Sequence, residues 1–195
     1  MHSHPVNIAI LASGSGSNAQ KIMEYFSDRS DIKIRLLLSN NPEAYALERA
    51  KKMGVDTHVF DRKSFRNSDD VLNVLNDYSI DWLILAGFLW LIPDNLLKNF
   101  PCRIINIHPA LLPNYGGKGM YGNKVHEAVI AAGDKESGIS IHFINEHYDE
   151  GELIFQAKCL INEGDTADML AQKIHELEHT HFPQIIDKVI KESKS

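Results

Sequence analysis

Long apolar runs are missing from this chain, and the opening Met1-His2-Ser3-His4-Pro5 lacks the apolar core of a secretory leader. A membrane span takes about 20 mostly apolar residues, so no membrane partner is expected and the expected compartment is the cytoplasm. Cysteine is scarce. Cys102 and Cys159 lie far apart without a CxxC spacing, which points to reduced thiols rather than to a bridge or a zinc site. Positive charge is also short: 20 Lys and Arg against 26 Asp and Glu leave a formal charge of -6, which argues against nucleic acid as the partner. Repeats, low-complexity tracts and a second-domain linker are absent too. The 195 residues, 44% hydrophobic and 24% charged, do support a globular α/β domain with a real core, expected as one domain over 1–195.

Strand and helix patterns alternate from the start. Residues 6–12 are apolar and β-branched, and 19–26 place Ile22, Met23 and Phe26 at helical spacing. Between them lies Ser13-Gly14-Ser15-Gly16-Ser17-Asn18. A strand, a Gly/Ser turn and a helix start in succession make an anion site, because unpaired amides and the helix dipole meet at one point. Tight turns of this kind favour Gly and Ser for steric reasons as well. The turn is neither GxGxxG nor a P-loop, since the third glycine and the terminal lysine are missing, so a dinucleotide is not indicated. Residues 32–39, 55–60 and 81–88 read as further strands, with helices over 43–53 and 69–78 and a short one opened by Pro93. With the later segments the pattern predicts a Rossmann-like, doubly wound, mostly parallel seven-stranded sheet with helices on both faces. Its binding crevice is expected at the carboxyl ends of the strands, where residues 13–18, Gly87 and 106–109 would meet. Leu89, Trp90, Leu91 and Ile92 then read either as core or as the wall of an aromatic ligand's pocket.

Residues 103–113, Arg-Ile-Ile-Asn-Ile-His-Pro-Ala-Leu-Leu-Pro, put two polar side chains on one face of a strand. Asn106 and His108 alternate with isoleucines, and Pro109 ends the run. The plain reading is a half-buried edge strand; the sharper one is an amide and an imidazole presented together for catalysis. The glycine-rich residues 114–122 suggest a functional loop. A helix is expected over 125–132 and an alternating strand over 137–144, with Ser140 and His142 on one face. An acidic loop over 145–151, a strand over 153–161, and one long helix or two over 165–190, interrupted near Pro183, complete the chain. His175-Glu176-Leu177-Glu178-His179 matches HExxH, yet the segment supplies no third ligand and lacks the metzincin continuation, so no metal is expected.

From Ile8 to Pro183 the chain resembles the folate-dependent formyltransferases. The resemblance rests on residues 13–18, Leu85-Ala86-Gly87-Phe88, Asn106-Ile107-His108-Pro109-Ala110-Leu111-Leu112-Pro113, and His142 followed by Asp149. It implies an enzyme that moves the formyl group of 10-formyltetrahydrofolate to an amine through a tetrahedral intermediate, without a metal. The loop after the first strand favours the branch whose acceptor is glycinamide ribonucleotide, in purine synthesis. Asn106, His108 and Asp149 would be catalytic, with Asp149 keeping His108 protonated. Ser15, Gly16, Ser17 and Asn18 would bind the phosphate, Gly87 and Pro109 would flank the ribose and glycinamide, and Glu178 would meet the amine end. Leu89, Trp90, Leu91 and Ile92 would hold the pterin together with Ile144, Asn145, Glu146, His147 and Tyr148. His142 would pack behind the site and orient Asp149 or its loop, and an arginine near Arg62 or Arg66 would meet the ribonucleotide. The partners implied are these two small molecules, with the protein as monomer or homodimer. Residues 116–121 depart from the family's Pro-Gly-x-His, so no role passes to that histidine. Asp149-Glu150-Gly151 replaces the common Asp-Gly-Gly. The rivals are another formyl-folate enzyme, such as a hydrolase, and a phosphate-binding module without catalysis.

Overall fold

The computed structural model describes residues 4–194; Met1, His2 and Ser3 of the opening segment lie outside the described residues. Its strands are β1 (Val6–Leu11), β2 (Ile32–Ser39), β3 (Asp56–Val59), β4 (Trp82–Leu85), β5 (Ile104–His108), β6 (Glu136–Phe143) and β7 (Leu153–Leu160). The helices are α1 (Ser17–Phe26), α2 (Tyr45–Lys52), α3 (Arg62–Arg66), α4 (Asp70–Asp77), α5 (Asp94–Asn99), α6 (Asn123–Ala132) and α7 (Ala167–Glu192). The strands form a seven-stranded sheet in the order β3-β2-β1-β4-β5-β6-β7, the α/β class expected from the sequence. The chain divides into two compact units, one up to Ile104 and one from Ile105.

In the first unit β1 pairs in parallel with β2 and β4, and β2 with β3. All four residues of β4 are buried, as a parallel strand covered on both faces requires. α1 buries Ala19, Ile22, Met23 and Phe26, and α2 buries Ala46, Leu47 and Ala50, the inward stripes read from their spacing. α3 was not foreseen. It is five residues long, too short for a periodic signal, and is set by a reciprocal capping box in which Asp61 accepts from the Ser64 amide and the Ser64 hydroxyl accepts from the Asp61 amide.

In the second unit β5, β6 and β7 run antiparallel, with Asn106 opposite His142 and His108 opposite Ser140. α7 is one unbroken helix of 26 residues with Pro183 inside it, the first of the two readings, one long helix or two, left open by the sequence. An interior proline costs a helix about 3 kcal/mol. Leu170, Ile174, Phe182, Ile186 and Ile190 are fully buried along the same helix. Each contributes roughly 1.5–3 kcal/mol, so two of them already offset the proline.

Candidate active site

The second unit assembles its polar groups on β5, β6 and the two loops beside them. The cross-strand register brings Asn106 and His142 together, and the Asn106 amide nitrogen Nδ2 lies 3.1 Å from His142 Nε2. His142 Nδ1 lies 2.8 Å from the Phe143 carbonyl, which only accepts, so Nδ1 carries the proton and Nε2 is the acceptor. That fixes the amide's orientation: Asn106 donates one N–H to His142 and keeps the other for a reacting oxygen. His142 is fully buried, and burial holds its pKa below the ordinary histidine value, consistent with a neutral ring that accepts from Asn106. Expected behind the site as an orienting group for Asp149 or its loop, His142 is buried there, and the bond to Asn106 is an addition to that expectation.

His108 is 4% exposed. Its Nε2 donates to the Tyr115 carbonyl at 2.8 Å, and its Nδ1 faces Asp149 Oδ2 at 3.6 Å. The other oxygen of Asp149 lies 3.7 Å from His142 Nε2, so this carboxylate stands between two imidazoles. The Gly117 amide donates to Asp149 Oδ2 at 2.9 Å, and Asp149 itself has a left-handed backbone, φ 57°. The structure thus brings Asn106, His108 and Asp149 together around His142. Their acidic loop closes back on β6 at Gly151, where a Cβ would lie 1.7 Å from the Phe143 carbonyl oxygen. Only glycine permits that approach.

The remaining residues named from the sequence fall as follows. Asn145 makes an Asx turn onto the His147 amide, while Glu146 and His147 are exposed and paired at 3.9 Å; Ile144 and Tyr148 are half-buried. Pro109 follows β5 directly and is half-buried. Glu178 is 5% exposed and accepts from His175 Nδ1 at 2.9 Å, a bond that raises the pKa of His175. The ring of His175 stacks on that of His179, 6.0 Å between centroids. The HExxH segment therefore spends its first histidine on Glu178. Among the described residues no group of three or more His, Cys, Asp and Glu could hold a metal ion.

In the first unit the turn of residues 13–18 is held from several sides. The Ser13 amide donates to the Gly87 carbonyl, the Ser13 hydroxyl to Asn40, and the Leu89 amide to the Ser13 hydroxyl. Gly16 caps α1 at φ 72°, and a Cβ there would meet Ala46 Cβ at 2.5 Å. Gly16 has no side chain with which to cap α1, and the positive end of the helix dipole lies at this turn. Ser15 offers its carbonyl to Arg49 Nε at 2.8 Å, and Arg49 also reaches Gln20. Sequence spacing gave no hint of Arg49, which arrives from α2, 34 residues later.

Leu89 is exposed, Trp90 and Leu91 are half-buried and Ile92 is core. Trp90 packs in an aromatic cluster with Phe60, Phe65 and Phe88, and Arg62 stacks on its ring at 5.3 Å. Arg66, Leu91 and Ile92 line a cavity of about 580 Å³ with Asn67 and Asn95.

Buried histidines give a stability prediction. Burial lowers the pKa of both His142 and His126, so below the ordinary histidine value of about 6.5 the unfolded chain binds more protons than the folded one. Stability is complete above that value and falls as pH drops through it. His175, raised by Glu178, acts in the opposite sense: its contribution is complete below the ordinary value and is lost as pH rises. Urea midpoints measured at pH 7 and pH 5 should therefore drop on acidification, and the drop should shrink in His142→Asn.

The chain matches the formyl transferase family over residues 6–186 and belongs to it. It is 40% identical over 191 residues to a chloroplastic phosphoribosylglycinamide formyltransferase of Arabidopsis thaliana, covering 95% of this chain and 65% of the relative. A chloroplastic protein of the same name from Vigna unguiculata is 36% identical, covering 95% and 61%. The chain thus spans slightly less than two thirds of the length of these plant relatives. The crystal structure of phosphoribosylglycinamide formyltransferase from Bacillus halodurans superposes with a TM-score of 0.86 at 33% identity, covering 96% of each chain. Among the described residues no helix is long and apolar enough to cross a membrane.

Proposed function

We propose that this protein transfers the formyl group of 10-formyltetrahydrofolate to the amine of glycinamide ribonucleotide, as the names of its relatives suggest. The observation that carries the reading is the arrangement of Asn106, His108 and Asp149: an oriented amide donor and an imidazole beside a carboxylate. The acceptor amine attacks the formyl carbon, and the carbonyl oxygen becomes an oxyanion. Asn106 donates its second N–H to that oxygen. Nδ1 of protonated His108 is the other donor, because Nε2 is already held by Tyr115. Asp149 stabilises the charged imidazole and takes the proton that leaves the amine. The oxyanion then re-forms the carbonyl, the C–N bond to the folate breaks, and the folate nitrogen receives the proton held by Asp149.

Ser15, Gly16, Ser17 and Asn18 are assigned the phosphate, supported by the uncapped start of α1. Gly87 and Pro109 are assigned the ribose and glycinamide, and Glu178 the amine end. Residues 89–92 and 144–148 are assigned the pterin. No metal enters the scheme, and the cytoplasm is the compartment proposed.

The test mixes purified protein with glycinamide ribonucleotide and 10-formyltetrahydrofolate in the presence of EDTA. Formylglycinamide ribonucleotide should appear by mass spectrometry, and the dephosphorylated nucleoside should show a strongly raised KM. No product would remove the reading; formate released without any amine acceptor would favour a hydrolase.

A further inference from the structure

We infer that Tyr115 is a positioning residue for His108, anchored through Asp134; the inference rests on the formyl-transfer reading only for its kinetic consequence. Tyr115 is engaged at both ends. Its carbonyl accepts the Nε2 proton of His108 at 2.8 Å, and its hydroxyl donates to Asp134 Oδ2 at 2.7 Å. Asp134 follows Gly133, the left-handed cap of α6, so the anchor sits at a fixed helix end just before β6.

The backbone at Tyr115 needs such an anchor. Its φ is 55°, a left-handed conformation that tyrosine adopts only when its surroundings impose it. Packing alone does not impose it, because Tyr115 is half-buried and borders, with Asp134, Leu111 and Ser137, a cavity of about 240 Å³. The hydroxyl–carboxylate bond is what fixes the ring there. Asp134 also raises the pKa of the phenol, so the hydroxyl remains a donor throughout the neutral range.

The carbonyl's position decides which nitrogen of His108 is left for chemistry. With the Nε2 proton on Tyr115, the neutral ring is held as the Nε2–H tautomer and Nδ1 is turned towards Asp149. Two residues on, the Gly117 amide holds the same Asp149 carboxylate. One short backbone stretch thus sets the imidazole from one side and its carboxylate from the other. Released from Asp134, the tyrosine carbonyl would drift, and the ring would lose its fixed tautomer without losing any group that touches substrate.

The test combines kinetics with histidine NMR on ¹⁵N-labelled full-length protein, the His108 signal being assigned by its loss in H108N. In the wild type at pH 8.5, His108 should show a protected Nε2–H and an unprotonated Nδ1. Tyr115→Phe should mix the tautomers and lower kcat about three- to tenfold, the loss expected for one hydrogen bond, with both KM values within about twofold of wild type. Asp134→Asn, which keeps an acceptor, should restore most of the wild-type behaviour. Asp134→Ala combined with Tyr115→Phe should be no worse than either alone, since both remove one bond. An unchanged His108 signal in Tyr115→Phe, or additive losses in the double variant, would overturn the inference. A wild-type protein without formyl transfer would instead remove the proposed function, and the NMR comparison would still decide the role of Tyr115.

Discussion

Asn106→Ala should lower turnover by at least about a hundredfold while leaving the fold intact. A single donor to a developing oxyanion typically contributes about 2.7–4 kcal/mol, or two to three decades in rate, because it acts on charge that exists only in the transition state. Asn106 suits that role through its second N–H, the first being committed to His142. Truncation removes the donor and leaves the His142 Nε2 lone pair without that hydrogen bond, a cost of about 1–3 kcal/mol in stability. Asn106→Asp sharpens the test. It keeps the shape, replaces the donor with an anion facing the oxyanion, and should be at least as damaging as alanine. Steady-state kcat on folded protein, checked by circular dichroism, decides the matter; a rate within a few-fold of wild type would take Asn106 out of the catalytic set.

Asp149→Asn should be of similar size for a different reason. The carboxylate lies between His108 Nδ1 at 3.6 Å and His142 Nε2 at 3.7 Å, so its negative charge faces the ring proposed to donate to the oxyanion. Asparagine retains an oxygen for the Gly117 amide yet loses the charge and the proton acceptor. General-base catalysis is worth about two to four decades. Asparagine is also the right probe sterically, since the φ of 57° at this position suits Asp and Asn far better than alanine. A fall in kcat below about tenfold would assign the proton transfer to another group.

How far these sites were legible depends on the range of the signal. The polar face of β5 could be read from strict alternation, and the start of α1 from a Gly/Ser turn followed by helical spacing. His142 was noticed as a partner of the site, but its bond to Asn106 depends on the antiparallel register of β5 and β6, 36 residues apart in sequence. Arg49 at Ser15 and Tyr115 on His108 left no trace, because a carbonyl acceptor has no letter of its own. α3 escaped for lack of length. The continuity of α7 through Pro183 was left open because local propensity counts the cost of the proline and is blind to the apolar side chains buried beyond it.

Main-chain atoms supply two of the contacts around His108 and Asp149, the Tyr115 carbonyl and the Gly117 amide. Such groups survive every substitution except those that bend the chain away. A saturation scan of Gly116 and Gly117 would therefore sort variants by the dihedral angles and the space each side chain tolerates and not by its polarity or charge. Few compositions keep that path, since Gly117 has a φ of 94° and a Cβ on Gly116 would lie 2.7 Å from Leu112 Cδ2.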